Sequence, residues 1–316
     1  MKAAVLHERG EIPRYEEFPD PVAGEGEVII DVRAVAVENV DRAVAAGTHF
    51  ASAQLMPHLP AIPCFDGIGA LPDGTLVGFG LPRPPYGALA EKTVVAEGNV
   101  IPAPEGIDPA VAVVLGTAIT GFAIRTAAGF QPGETVLIQG ATGAAGRLAV
   151  QVARLLGAGR IVATGRSPEA LQEVGADEVI DTSVDDSALA KAFSDKAGQG
   201  YDVVLDFLWG RPTEILLRSL VPAQLGFAKP TRIVQIGESA GGTVSVAAQS
   251  LRTSGVEIYG ATKGLGGGGM AEAYQQILTW TREGDLTFQI ERVPLSGIED
   301  AWQRTDLRGK RLVVVV

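Results

Sequence analysis

Residues 135–156 read TVLIQGATGAAGRLAVQVARLL, and the fold is decided in these twenty-two positions. Thr135, Val136, Leu137 and Ile138 form a short apolar, β-branched run that suits a buried strand. Gly140, Gly143 and Gly146 follow at intervals of three. From Arg147 onward, Leu148, Val152, Leu155 and Leu156 recur at i, i+4, i+7 and i+8, the stripe of a helix lying on a sheet. Gly157 then stands where a helix C-terminus wants a left-handed residue. In such a strand–turn–helix one glycine permits the tight turn, one lets backbone approach a pyrophosphate, and one lets the helix pack close to the strand. The N–H groups and dipole at the helix start favour a diphosphate there. Gly140, Thr142, Gly143, Ala144, Ala145 and Gly146 are therefore candidate dinucleotide contacts. GxxGxxG is looser than GxGxxG, and a plain tight turn in an Ala/Gly-rich stretch is the alternative. Against that alternative stands a second strand, residues 160–163, at the expected distance.

Working outward, apolar runs at 135–138, 160–163, 178–180, 202–205, 232–236 and 256–259 alternate with helical patterns. Continuous apolar strands interleaved with helices mean a parallel sheet covered on both faces, and six strands complete a doubly wound dinucleotide fold. Upstream the texture is different. Short β-branched runs at 28–35, 76–79 and 90–95 are separated by Gly and Pro, as a compact barrel-like domain requires. The final strand candidate, 311–316, stands outside the parallel series. The expected organisation is a mostly-β domain from 1–118, a Rossmann domain inserted at 119–261, and a return to the first domain over 262–316. A helix is expected near 270–282. The Gly-rich run 264–269 before it is a flexible connection, or a hinge or lid over substrate.

The end of the second parallel strand reports on the cofactor. An acidic residue there would bind the ribose 2′-hydroxyl of NAD; this chain has Thr164-Gly165-Arg166-Ser167. Gly165 removes the repelling carboxylate, Arg166 offers a bidentate fork, and Ser167 a hydroxyl, which together select NADPH. The alternative is that Arg166 is a solvated loop residue. Gly237 and Glu238 follow the fifth strand at the carboxyl edge, where ligands bind in such sheets, and Trp209 follows the fourth. A formal charge of −11 opposes nucleic acid or an anionic membrane as partner. The expected partner is instead a small electrophilic substrate. A single cysteine, Cys64, precludes an internal disulfide framework. Together with an N-terminus lacking a signal-peptide core, this sets the expectation of a cytoplasmic protein.

Further motifs run nearly the whole length. They are MKAAV at 1–5, GEGEV at 24–28, residues 41–47, PAPEG at 102–106 and 115–121. Downstream come QPGE at 131–134, GAD at 175–177, 202–206 and the late Gly309-Lys310. In these the chain resembles the zinc-independent quinone oxidoreductases of the medium-chain dehydrogenase/reductase superfamily, the group that includes zeta-crystallin. The resemblance implies a GroES-like catalytic domain formed by both ends of the chain, with the Rossmann domain between. It implies a homodimer. Where zinc-containing relatives carry Cys, His and Cys ligands, this chain has Glu38, Phe65 and Gly116, so no metal is expected. Many members have Asn-Pro-x-Asp near the nicotinamide; aligned on Asp41, Glu38 takes the Asn place here and Asn39 follows it. Thr120 falls where relatives put a threonine close to the nicotinamide, or it caps its own helix. Asn39 and Thr120 are the catalytic candidates. The implied activity is NADPH-dependent hydride transfer to quinones or α,β-unsaturated carbonyls. Reduction of an enoyl thioester, or a non-catalytic NADPH-binding role of crystallin or regulatory type, are the alternatives.

Overall fold

A computed structural model describes every residue except 225, 227 and 267. The chain divides into two units, residues 1–114 with 288–316, and residues 115–287.

The first unit is mostly β. Strands β1 (Lys2–Val5) and β2 (Arg14–Glu17) pair antiparallel. The long β3 (Glu27–Val37) is the spine of a seven-stranded sheet that also takes in β4 (Asp66–Ala70), β5 (Leu76–Gly80), β6 (Lys92–Ala96) and β7 (Val100–Pro102). A register shift between Val32 and Ala34 bends β3, letting its first half pair with β6 and its second half with other strands. The last strand of the chain, Arg311–Val315, lies antiparallel along β3 with Leu312 opposite Val37, and Ile290–Pro294 pairs parallel beside it. The core under this sheet joins Val5, Leu6, Ile30, Val35, Leu89 and Val314, all at most 1% exposed.

The second unit holds six parallel strands, β8 (Thr135–Gln139), β9 (Arg160–Gly165), β10 (Glu178–Asp181), β11 (Val203–Asp206), β12 (Thr231–Gln235) and β13 (Val256–Gly260). Their spatial order is β10-β9-β8-β11-β12-β13, so the strand order reverses between β8 and β11. The expected doubly wound α/β fold is present, with helices on both faces. The glycine turn leads into helix Ala144–Leu155, which packs against helix Leu115–Thr126. A Cβ added at Gly121 would fall 2.8 Å from Ala149 Cα, so these two helices touch through small residues. That contact corrects half of the expected stripe: Leu148 and Val152 are buried as expected, with Ala149, Val150 and Ala153 beside them, while Leu155 and Leu156 are only half-buried. The helix lies between a sheet and another helix, and two contact faces bury a different set of positions from one.

The boundaries also differ from those read in the sequence. The first crossing falls at 114/115, between two helices, Pro109–Ala112 and Leu115–Thr126. The second crossing falls at 287/288 rather than 261/262. Helix Gly269–Glu283 stays with the parallel sheet because it packs on Leu115–Thr126, with Phe122 and Trp280 rings 6.0 Å apart and Arg125 paired to Glu272 at 3.0 Å. Of the Gly-rich run, residue 267 lies outside the described residues. Gly264 and Gly269 do not behave as a free connection: a Cβ at Gly264 would lie 2.0 Å from the Thr126 carbonyl oxygen.

Candidate dinucleotide site

The glycine turn sits at the carboxyl end of β8, beside the reversal of strand order. Gly140 has φ +81°, the left-handed region that a side chain resists. Its N–H donates to Thr164 Oγ1 at 3.1 Å, and Ala141 N–H donates to the Thr164 carbonyl at 2.9 Å, which ties the turn to β9. At Gly146 a Cβ would fall 2.3 Å from the Gly140 carbonyl oxygen, so the helix presses directly on the turn. Gly143 is different. It is the residue before the helix, its backbone is extended, and a Cβ there would meet only the Gly140 carbonyl oxygen at 3.6 Å. Nothing in the fold requires a glycine at 143; the space in front of it is open. The first-turn N–H groups of Ala144, Ala145 and Gly146 have no preceding helical carbonyl to bind. The candidate positions from Gly140 to Gly146 thus span this turn and the first turn of the helix that follows it.

Thr142 packs against the end of β9. A Cβ at Gly165 would lie 2.6 Å from Thr142 Cγ2 and 3.1 Å from Leu171 Cδ2, so steric closeness by itself favours glycine there. Arg166 is exposed, and among the described residues no carboxylate pairs with it. Ser167 is already engaged: its Oγ accepts from Ala170 N–H at 3.2 Å and donates to Glu169 at 2.8 Å, capping helix Pro168–Gln172. Gly237 is half-buried and Glu238 exposed beyond β12. A Cβ at Gly237 would fall 2.7 Å from the Phe207 carbonyl oxygen, so the segments after β11 and β12 are in backbone contact.

Two groups escaped the sequence reading. Arg147, 7% exposed, reaches from the first helical turn to Glu173 at 3.2 Å. Asp206, fully buried at the end of β11, accepts N–H bonds from Leu208 and Trp209 and the hydroxyl of Thr213. Burial pushes the Asp206 carboxyl above its ordinary range, against the pull of these donors. The signal was there: an acid closing the run Val203-Val204-Leu205 is a polar group where a parallel strand should be apolar.

Of the catalytic candidates, Thr120 in helix Leu115–Thr126 donates its hydroxyl to the Thr117 carbonyl at 2.7 Å, the self-capping alternative. Asn39, in the first unit, is exposed at the start of helix Asn39–Ala46, and its amide makes no hydrogen bond among the described residues. Glu38 is the residue before that helix. Its N–H donates to Asp41 Oδ2 at 2.7 Å, and its carboxylate pairs with Arg311 at 3.2 Å. Asp41 is buried with Oδ1 unpartnered; desolvation and then the charges of Asp66 and Glu38 hold its carboxyl well above the usual range. Among the described residues no three His, Cys, Asp or Glu side chains are grouped to hold a metal ion.

A family model described as zinc-binding dehydrogenase matches residues 144–280. A probable NADPH-dependent quinone reductase from Emericella nidulans is 28% identical over 96% of this chain and 96% of its own length. The L-threonine 3-dehydrogenase of Rhizobium johnstonii is 34% identical over 47% of this chain and 42% of that enzyme. Among solved structures, the quinone oxidoreductase of Thermus thermophilus, also solved in complex with NADPH, superposes with a TM-score of 0.79. It is 28% identical, and all of both chains is covered.

Proposed function

We propose that the chain belongs to the quinone oxidoreductase group of the medium-chain dehydrogenase/reductase superfamily, which its likeness to the quinone reductases above supports, and that it is an NADPH-dependent enzyme that reduces quinones or α,β-unsaturated carbonyls without zinc. The observation that carries the reading is the contrast within the glycine turn. Gly146 is demanded by the fold, while Gly143 guards an open space in front of unpaired helix N–H groups, a cradle that a Cβ would fill. Such a cradle fits a diphosphate.

In this reading Ala144, Ala145 and Gly146 hold the diphosphate through backbone N–H groups, and Gly140 and Thr142 shape the turn around it. Gly165 leaves the ribose 2′-position free of a carboxylate, and the unpaired Arg166 supplies the charge for a 2′-phosphate. Ser167 acts mainly by capping the helix that fixes the Arg166 loop. Gly237 and Glu238 border the other half of the groove. Bound NADPH supplies the hydride. Negative charge then develops on the substrate oxygen, so the chain needs a donor aimed there. Asn39, whose amide is unspent, suits that role; Thr120 would first have to give up its bond to Thr117. Glu38, held by the Arg311 cation, is a poor ligand for a second cation, which favours chemistry without a Lewis acid. The buried, unpaired Cys64 accords with a reducing cytosol. The exposed edge of β13, where Ile258 faces out, accords with a homodimer.

The test is a stopped-flow screen of NADPH oxidation over quinones, enones and enoyl thioesters. Turnover with the first two, and a primary isotope effect with NADPH deuterated at the transferred position under single-turnover conditions, is expected. Tight NADPH binding with no turnover on any electrophile would leave a binding protein instead. Sedimentation equilibrium at the monomer mass would remove the homodimer.

A further inference from the structure

Asp206 is a buried acid in a place where burial is costly unless every oxygen is satisfied. Its Oδ1 accepts the N–H groups of Leu208 and Trp209, each at 2.9 Å. Its Oδ2 accepts the Thr213 hydroxyl, and Thr213 Oγ1 in turn accepts Gln139 Nε2 at 3.1 Å. Its carbonyl accepts Ile236 N–H at 2.9 Å and Gly237 N–H at 3.1 Å. One residue thus joins the carboxyl ends of β8, β11 and β12.

The segment it shapes is held in an uncommon form. Trp209 has φ +55°, which a bulky residue adopts only when its surroundings impose it. Leu208 lies against the glycine turn, its Cδ2 2.9 Å from where a Gly140 Cβ would stand. Ala240 N–H donates to the Leu208 carbonyl at 2.8 Å and Ser239 Oγ to the Phe207 carbonyl at 3.0 Å. In a sheet of this strand order the dinucleotide lies across the reversal, with its adenosine half on the β9 side and its nicotinamide half over β11 and β12.

We infer that Asp206 is a positioning residue, which fixes Leu208 and Trp209 as the wall of the nicotinamide half of the groove and leaves the adenosine half untouched. The inference rests on the dinucleotide reading given above. None of the bonds of Asp206 reaches Gly165, Arg166 or Ser167, so loss of its carboxylate loosens one half of the site alone.

The test compares two ligands on the full-length protein by fluorescence titration: NADPH, and 2′,5′-ADP, which carries the 2′-phosphate but no nicotinamide. Asp206→Ala removes a buried acceptor that holds two backbone N–H groups and a hydroxyl, and should raise the NADPH dissociation constant roughly ten- to hundredfold and leave that for 2′,5′-ADP within about twofold. Asp206→Asn keeps one acceptor oxygen for Leu208 and Trp209, so its NADPH constant should rise less, roughly three- to tenfold, again without effect on 2′,5′-ADP. Equal weakening of both ligands, or no change in either, overturns the inference. Should Asp206→Ala fail to fold, the Asp206→Asn comparison decides by the same criteria. Wild-type protein that binds neither ligand overturns the dinucleotide reading itself, which is a separate and recognisable failure.

Discussion

Gly143 and Gly146 stand three residues apart in one turn, yet side chains at the two positions meet different fates. A Cβ at 143 finds ordinary van der Waals distance, while one at 146 runs into a carbonyl oxygen at 2.3 Å. Gly143→Val should therefore fold, losing about 1 kcal/mol at the head of the helix, but should abolish NADPH binding. Gly146→Val should cost about 3 kcal/mol or more through overpacking. Thermal melts alongside NADPH titration separate the two; a Gly143→Val protein that still binds NADPH would refute the diphosphate assignment. Arg166 admits a sharper test because the structure leaves it unpaired. Arg166→Ala should weaken NADPH roughly ten- to hundredfold and NADH hardly at all. Ser167→Ala should act differently, costing about 1 kcal/mol of stability as a lost cap. Sequence could name all of these positions, since each follows from the spacing of a motif. It could not divide steric need from chemical need, which depends on what lies opposite each Cα.

Helix Asn39–Ala46 shows the same limit at the scale of an element. The sequence placed Glu38, Asn39 and Asp41 by resemblance but left open what Glu38 does. In the folded chain Asp41 holds the Glu38 N–H and Arg311 holds the Glu38 carboxylate, so residues at opposite ends of the chain share one helix start. Asp41 carries a consequence for pH. Its carboxyl is raised above the value near 3.9 expected in the unfolded chain. Between those two values the folded state binds the extra proton, so the Asp41 contribution to stability is present at acid pH and is lost as pH rises through the native value. Urea unfolding of wild type and Asp41→Asn at pH 5 and pH 8 should show the wild type losing ground relative to the variant as pH increases. A difference independent of pH, or one of opposite sign, would count against a raised carboxyl. The helix after the glycine turn makes a companion case: its type and extent were legible from periodicity, but its buried face was set by a second helix that no local pattern announces.

For the whole molecule the decisive prediction is metal independence. The protein as purified should contain no stoichiometric zinc, and turnover should survive a chelator; activity lost to chelation and restored by zinc would overturn the zinc-free mechanism. The reasons belong to composition, with one cysteine and three histidines in the chain, and to Glu38 being engaged with Arg311. The sequence by itself determined the six-stranded doubly wound sheet and its glycine turn. It also determined the acid-free end of β9 and the outlying C-terminal strand, because hydrophobic period, glycine spacing and charge type are local properties that survive in any context. Tertiary structure alone decided where the chain crosses between units, since helix Gly269–Glu283 is assigned by its contact with Leu115–Thr126 and not by its own pattern. It alone revealed how the Asp206 site is closed: Leu208, Trp209 and Thr213 are near neighbours in sequence, but Gln139 reaches Thr213 from the end of β8, and the Asp206 carbonyl takes the Ile236 and Gly237 N–H groups beyond β12. A hydrogen bond between residues far apart in sequence leaves no period to read; it exists only once packing has excluded water and left a buried acid with a fixed set of donors.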